Sequence, residues 1–202
     1  MSWHIKGVSD DTYKNSRLFG GDETDAKTNK TRSNKMKMVV MVLGKNGVGK
    51  TTFGKRLAKE LGAGFAETSQ CILDEYERLS GDTIMDRQHK EFVRIHLESI
   101  GSIMNSIDAS NVFSCAVESV PQDDICVVCG VRKLSEFDAS VHWLEARGIS
   151  FATVWLSKDG VGEDDNYCDI PEHLARYRIN FTKGWKNMRS EVERIKTRLC
   201  EI

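Results

Sequence analysis

From Met38 onward the apolar positions fall into alternating short patterns. Met38-Val-Val-Met-Val-Leu43 is an unbroken apolar run, the mark of a strand covered on both faces within a parallel sheet. Phe53, Leu57 and Leu61 then recur at i, i+4 and i+8, which predicts a helix that Gly62 ends. A short strand is expected near Gly64–Glu67, followed by a helix from Ser69 to about Ser80. Residues 85–107 predict one long helix with Phe92, Ile95, Ile100, Ile103, Met104 and Ile107 along its apolar side. A further short helix, about Ala109–Val120, stops before Pro121.

The second half alternates more cleanly. Ile125–Val131 reads as a strand, and Leu134, Phe137, Val141 and Leu144 mark a helix that ends near Gly148. Phe151–Leu156 and Tyr177–Phe181 are further strands, and Trp185, Met188, Val192, Ile195 and Leu199 stripe a final helix. Strands alternating with helices predict an α/β fold, a three-layer sandwich with a mostly parallel central sheet. Residues 1–36 show no such pattern. Ser, Thr, Asn, Asp and Lys dominate there, with too little apolar surface to offset the entropy of ordering, so a disordered tail is expected ahead of one domain over 37–202.

Composition narrows the function classes. The chain has 202 residues, 40% of them apolar, enough for a sizeable core. Its 29 Lys and Arg against 30 Asp and Glu leave a charge of −1, so no bulk attraction to nucleic acid is expected. No run of about 18 apolar residues predicts a membrane span, and the start lacks a secretory signal. A cytoplasmic location is expected, that of a host cell if the source is viral. Of the six cysteines only Cys126 and Cys129 have ligand-like spacing. They lie inside an apolar strand with no second pair to complete a metal site, so they read as core thiols. The histidines His89, His96, His142 and His173 have no ligand or triad spacing.

Chemistry enters with Gly44-Lys-Asn-Gly-Val-Gly-Lys-Thr51, a full match to G-x-x-x-x-G-K-[ST] between a predicted strand and a predicted helix. Glycines at Gly44, Gly47 and Gly49 let successive N–H groups converge on phosphate oxygens, and the helix adds its positive end. ATP is the expected ligand, held by Gly44, Lys45, Asn46, Gly47, Val48, Gly49, Lys50, Thr51 and Thr52. Lys50 would reach the β- and γ-phosphates and Thr51 would ligate Mg²⁺. No guanine-reading [NT]-K-x-D is present, and the strand at 125–131 ends without the Asp-Glu of motor ATPases. Phosphoryl transfer to a small soluble acceptor is the remaining common class.

Such an enzyme needs cations on its acceptor side. Arg87, Lys90 and Arg94 lie at i, i+3 and i+7 on the predicted long helix, a basic face that a solvated surface would also explain. Arg132 follows the carboxyl end of a strand, where open α/β sheets place ligands. Gly130-Val-Arg132 with Glu136, together with Arg94-x-x-Leu97-x-x-x-Gly101, resembles elements of the phage-type deoxynucleoside monophosphate kinases. Ile179-Asn-Phe181 matches the I-x-N element of that family only loosely.

The resemblance spans roughly residues 38–200. It implies the P-loop nucleoside triphosphate hydrolase/kinase fold and transfer of the ATP γ-phosphoryl to a (deoxy)nucleoside 5′-monophosphate. Lys50, Arg132 and Arg94 would be catalytic, and Glu67, Lys90, Arg94 and Arg132 would bind substrate. One departure stands out: many members have Asp where this chain has Gly130. Glu67, Asp74 or Glu118 would have to support the metal instead, with Glu67 favoured because it ends the second strand. The acidic stretch 159–172, or Arg176 and Arg178, is expected to form a lid. Phe65 or Tyr76 would stack on a base or fill the core. The rival readings are a kinase for another small acceptor and a non-catalytic nucleotide-binding or DNA-associated module. The partner expected is a small-molecule nucleotide, with no membrane and no nucleic acid, and a homodimer is compatible with the chain.

Overall fold

Val39–Leu43 are completely buried, which places the first strand at the centre of the molecule. The computed structural model describes residues 36–121, 124–161, 168–181 and 187–201, all in one unit spanning Ser33–Ile202. The tail expected over 1–36 and Trp185 therefore lie outside the described residues, Met36 excepted. Strand β1 (Met38–Leu43) pairs in parallel with β3 (Ile125–Cys129) on one side, Val40 opposite Val127. On the other side it pairs with β4 (Ser150–Ser157), Val40 opposite Ala152. Strand β2 (Gly64–Glu67) flanks β3 and β5 (Tyr177–Asn180) flanks β4, giving an all-parallel order β2-β3-β1-β4-β5.

Period-two alternation divides the core into two layers. Val40 and Val42 point to a face covered by Phe53 and Leu57 of α1 (Lys50–Leu61) and by Val192, Ile195 and Leu199 of α7 (Met188–Leu199). Val39, Met41 and Leu43 point to the opposite face, covered by Phe113 and Val117 of α5 (Asn111–Glu118) and Phe137 and Leu144 of α6 (Leu134–Ala146). Each such fully buried side chain contributes about 1.5–3 kcal/mol. Because all strands run the same way, their carboxyl ends share one edge, and α1 starts there between β3 and β4.

Two expectations need correcting. The long helix over 85–107 is two helices, α3 (Arg87–Phe92) and α4 (Arg94–Ile107), broken at Val93 with φ −93° and ψ 8°. Asp86 caps α3 by accepting from the His89 N–H at 2.7 Å. Much of the expected apolar stripe also faces solvent: Phe92 is 85%, Ile95 75%, Ile103 62% and Ile107 79% exposed, while Ile100 and Met104 are half-buried. Val93, Leu97 and Gly101 turn inward instead, against α2 (Thr68–Ser80). A Cβ at Gly101 would lie 2.9 Å from Cδ1 of Ile72, so the missing side chain lets the two helices close on that side. Periodicity defines a stripe, but close approach at glycine decides which side is the inner one.

Strand β3 stops at Cys129 rather than Val131, because Gly130 turns the chain with φ +112°. Cys126 and Cys129 are core thiols as expected, and burial pushes the Cys129 pKa up to about 12. Among the described residues no group of three or more His, Cys, Asp or Glu could hold a metal, and no helix is long and apolar enough to cross a membrane.

Candidate functional site

The loop between β1 and α1 is shaped by backbone that only glycine tolerates well. Gly44 has φ +137°, and a Cβ there would lie 2.3 Å from the Leu156 carbonyl oxygen, so the loop is pressed against β4. Gly47 and Gly49 have φ +78° and +86°, and Gly49 is the N-cap of α1. Val48 sends its side chain into the core, leaving only its backbone to line the loop. Lys50 Nζ donates to the carbonyls of Gly44 at 2.6 Å and Lys45 at 2.7 Å, which holds the ammonium across the loop. Thr52 is exposed on the first turn of α1.

Thr51 Oγ1 donates to Glu67 Oε1 at 2.6 Å. The contact joins the loop to the carboxyl end of β2, on the far side of β3. Asn46, Gly47, Gly49, Lys50, Thr51 and Glu67 line one cavity of about 280 Å³, together with Gly130 and Arg132. The Thr51 hydroxyl and the Glu67 carboxylate are oxygen donors of the kind Mg²⁺ takes, and they would hold it here. Neither Asp74 nor Glu118 lines this cavity. Gly130 could not carry a carboxylate as it stands, since a Cβ there would lie 2.2 Å from Thr68 Oγ1 on a backbone with φ +112°.

A second cavity of about 380 Å³ adjoins the first, and Asn46, Ser69 and Arg132 line both. Its cations are Lys90, Arg94 and Arg132, its carboxylates Glu91 and Glu98, and its apolar wall is Ile72, Leu73 and Leu97. Thus the structure brings Lys90, Arg94, Arg132 and the phosphate loop around two adjoining cavities. Arg94 pairs with Glu91 at 3.1 Å and is half exposed, so the pair is weak and can open to a ligand. The Arg87 side chain lies outside the described residues.

Arg132 sits on a loop fixed from two directions. Its N–H donates to Oε2 of buried Glu136 at 3.2 Å, and its carbonyl accepts from the Asp169 N–H at 3.1 Å. Asp169 also accepts from the Leu134 N–H and lies 3.8 Å from the Lys133 ammonium. Burial raises the Glu136 carboxyl pKa above the usual range, opposed by the Arg132 and Lys133 N–H groups and by the Asn105 side chain.

The arginines expected at a lid stand away from the site. Arg176 precedes β5, so it lies at the end of the sheet opposite the phosphate loop, in a separate cavity with Tyr177, Arg194 and Arg198. Arg178 is exposed on the same strand, and neither arginine touches the two adjoining cavities. From the acidic stretch Asp169 braces the Arg132 loop, while 162–167 lie outside the described residues. Phe65 packs beside Gly54 and the core, and Tyr76 is buried with Val93 and Leu97, so both are structural. Thr68 and Ser69 escaped sequence reasoning. The available signal was position, since both directly follow β2 at the edge where the phosphate loop lies.

The shikimate kinase family model matches residues 46–129, from inside the phosphate loop to the end of β3. No curated protein matches the sequence. A protein from Chloroflexus aurantiacus described as a kinase superposes with a TM-score of 0.50 at 11% identity, over 83% of this chain and 98% of that one. A gluconokinase from Sinorhizobium meliloti gives 0.47 at 15% identity, over 83% and 95%. The Mycobacterium tuberculosis APS kinase CysC in complex with AMPPNP and APS gives 0.48 at 11%, over 83% and 99%. With its five-stranded parallel sheet and its glycine loop after the central strand, the chain has the P-loop nucleoside triphosphate hydrolase/kinase fold.

Proposed function

We propose that the protein is an ATP-dependent phosphotransferase whose acceptor is a small anionic molecule, with a (deoxy)nucleoside 5′-monophosphate as the primary reading. The observation that carries this is the pair of adjoining cavities with Arg132 in the wall of both. One cavity has the loop, Lys50 and Thr51 for a triphosphate. The other has Lys90 and Arg94 for an acceptor anion and Ile72, Leu73 and Leu97 for an apolar body. The match to the shikimate kinase model supports kinase chemistry on this fold.

In-line transfer on this scaffold depends on alignment and charge neutralisation. Loop N–H groups and Lys50 hold the β- and γ-phosphoryl oxygens of the donor. Thr51 and Glu67 would hold Mg²⁺, which neutralises phosphate charge when bound. Arg132 stands between donor and acceptor and neutralises charge on the transferring group, while Arg94 and Lys90 orient the acceptor.

A second reading is a hydroxy-acid acceptor. The carboxylates Glu91 and Glu98 in the acceptor cavity favour it, since they can accept from substrate hydroxyls, and the matched family model points the same way. A radiometric assay with ATP and a panel of NMPs, dNMPs and hydroxy acids separates the two. Turnover of monophosphates supports the first, and turnover of hydroxy acids alone replaces it by the second. Lys50→Ala is expected to lower kcat at least about a hundredfold without unfolding the protein, since it removes a cation from the developing charge. Full activity in that variant would overturn the assignment of the loop.

A further inference from the structure

The face that α4 turns to solvent has the composition of an interface. From residue 95 to 107 the exposed residues are Ile95, His96, Glu98, Ser99, Ser102, Ile103, Ser106 and Ile107; Glu98 lines the second cavity, which leaves His96 as the one titratable side chain along the stripe. Solvated helix faces are ordinarily charged. Phe92 continues the stripe across the kink, where the Val93 N–H still bonds the His89 carbonyl at 3.1 Å and the Leu97 N–H bonds that of Val93 at 3.1 Å. The helical phase is therefore kept through the break.

We propose that this face binds a second copy of the same chain, α4 packing antiparallel on α4 about a twofold axis at Ser99. The spacing of the apolar residues supports self-pairing. With the axis at Ser99, Ile95 meets Ile103 of the second copy, and Phe92 falls opposite Ser106, beside Ile107. The intervals between Phe92, Ile95, Ile103 and Ile107 are nearly the same read from either end, as an isologous contact requires. Small side chains at Ser99, Ser102 and Ser106 allow close helix approach, and antiparallel helices set opposite dipole ends side by side.

The area is also of the right order. Covering Phe92, Ile95, Ile103 and Ile107 removes roughly 400–500 Å² of apolar surface per copy. Two copies, with the serine rim, approach the ~1,200–2,000 Å² of a stable protein pair. The acceptor cations Lys90 and Arg94 lie on the same helix pair, on the side away from the contact, so pairing leaves their cavity open.

The test is sedimentation equilibrium of the full chain between about 1 and 100 µM. Twice the 22.8 kDa chain mass is expected. Ile95→Glu/Ile103→Glu should keep its far-UV circular dichroism and weaken self-association at least about a hundredfold. Ser99→Cys, in a Cys200→Ser background, should form a disulfide-linked dimer on mild oxidation, while Glu77→Cys in that background should not. A wild-type chain that stays monomeric throughout overturns the proposal, as does a dimer indifferent to the double substitution. A monomer that pairs only after removal of residues 1–35 overturns it too, by assigning the face to the tail.

Discussion

At the scale of single residues, the decisive position is Gly130. The backbone there has φ +112°, and Thr68 Oγ1 occupies the space of a Cβ, so the deoxynucleoside monophosphate kinase aspartate has no room. Gly130→Asp is therefore expected to destabilise the protein by about 2 kcal/mol or more, through backbone strain and the clash, with no gain in Mg²⁺ dependence. Chemical denaturation and Mg²⁺ titration of activity check both halves. In the proposed function the carboxylate would come instead from Glu67, whose Oε1 lies 2.6 Å from the Thr51 hydroxyl. Glu67→Gln should leave the fold intact and raise the Mg²⁺ concentration needed for half-maximal rate about tenfold or more, since the site loses its anionic oxygen ligand. Glu67 was legible in the sequence because it ends a predicted strand. The reason for Gly130 was not, because Thr68 approaches it from a different strand-helix junction.

At the scale of elements, α2 and α4 wall the second cavity, proposed above for the acceptor, and Gly101 sets their distance. Gly101→Val should push α4 away from Ile72 at a cost of about 1–3 kcal/mol. It should raise the acceptor KM while leaving the KM for ATP unchanged, since the phosphate loop belongs to other elements. The Arg94-x-x-Leu97-x-x-x-Gly101 pattern thus has a mechanical meaning: Leu97 and Gly101 face α2 and Arg94 flanks the cavity. The pattern itself was readable in the sequence, as a resemblance. Which side of α4 faces inward was not, because Ile95, Ile103 and Ile107 form the stronger stripe and face solvent. Arg176 was misread for a simpler reason, since a residue preceding a parallel strand sits at the end away from the phosphate loop. Glu136 of α6 ties α4 to the Arg132 loop through the Asn105 side chain and the Arg132 N–H. Burial raises its folded-state pKa, so the folded protein holds that proton more tightly than the unfolded chain. Its contribution to stability is greatest below the ordinary glutamate pKa of about 4.3 and is lost as pH rises through the folded value. Glu136→Gln should lack that decline, which denaturant midpoints of both proteins from acid to neutral pH will show as a difference curve.

At the scale of the whole molecule, burial is unevenly shared. The two faces of the sheet carry large cores, whereas the acceptor wall rests on a small cluster of Tyr76, Val93 and Leu97 with four partly buried neighbours. Local opening should therefore be easier in α3 and α4 than in β1 and β3. Native-state hydrogen exchange should show the amides of α4 exchanging well before those of Val39–Val42. A wall that opens while the phosphate loop stays rigid suits an enzyme that admits one substrate and closes over another. The placement of the carboxylate has a further consequence for how such proteins are related to one another. In this chain the acid that meets the loop threonine ends β2, whereas the resemblance implies one after β3, so a comparison keyed to the residue after β3 passes over it. A comparison keyed to the distance between the loop hydroxyl and any carboxylate finds it. Ancestry and chemistry can here be tracked by different residues.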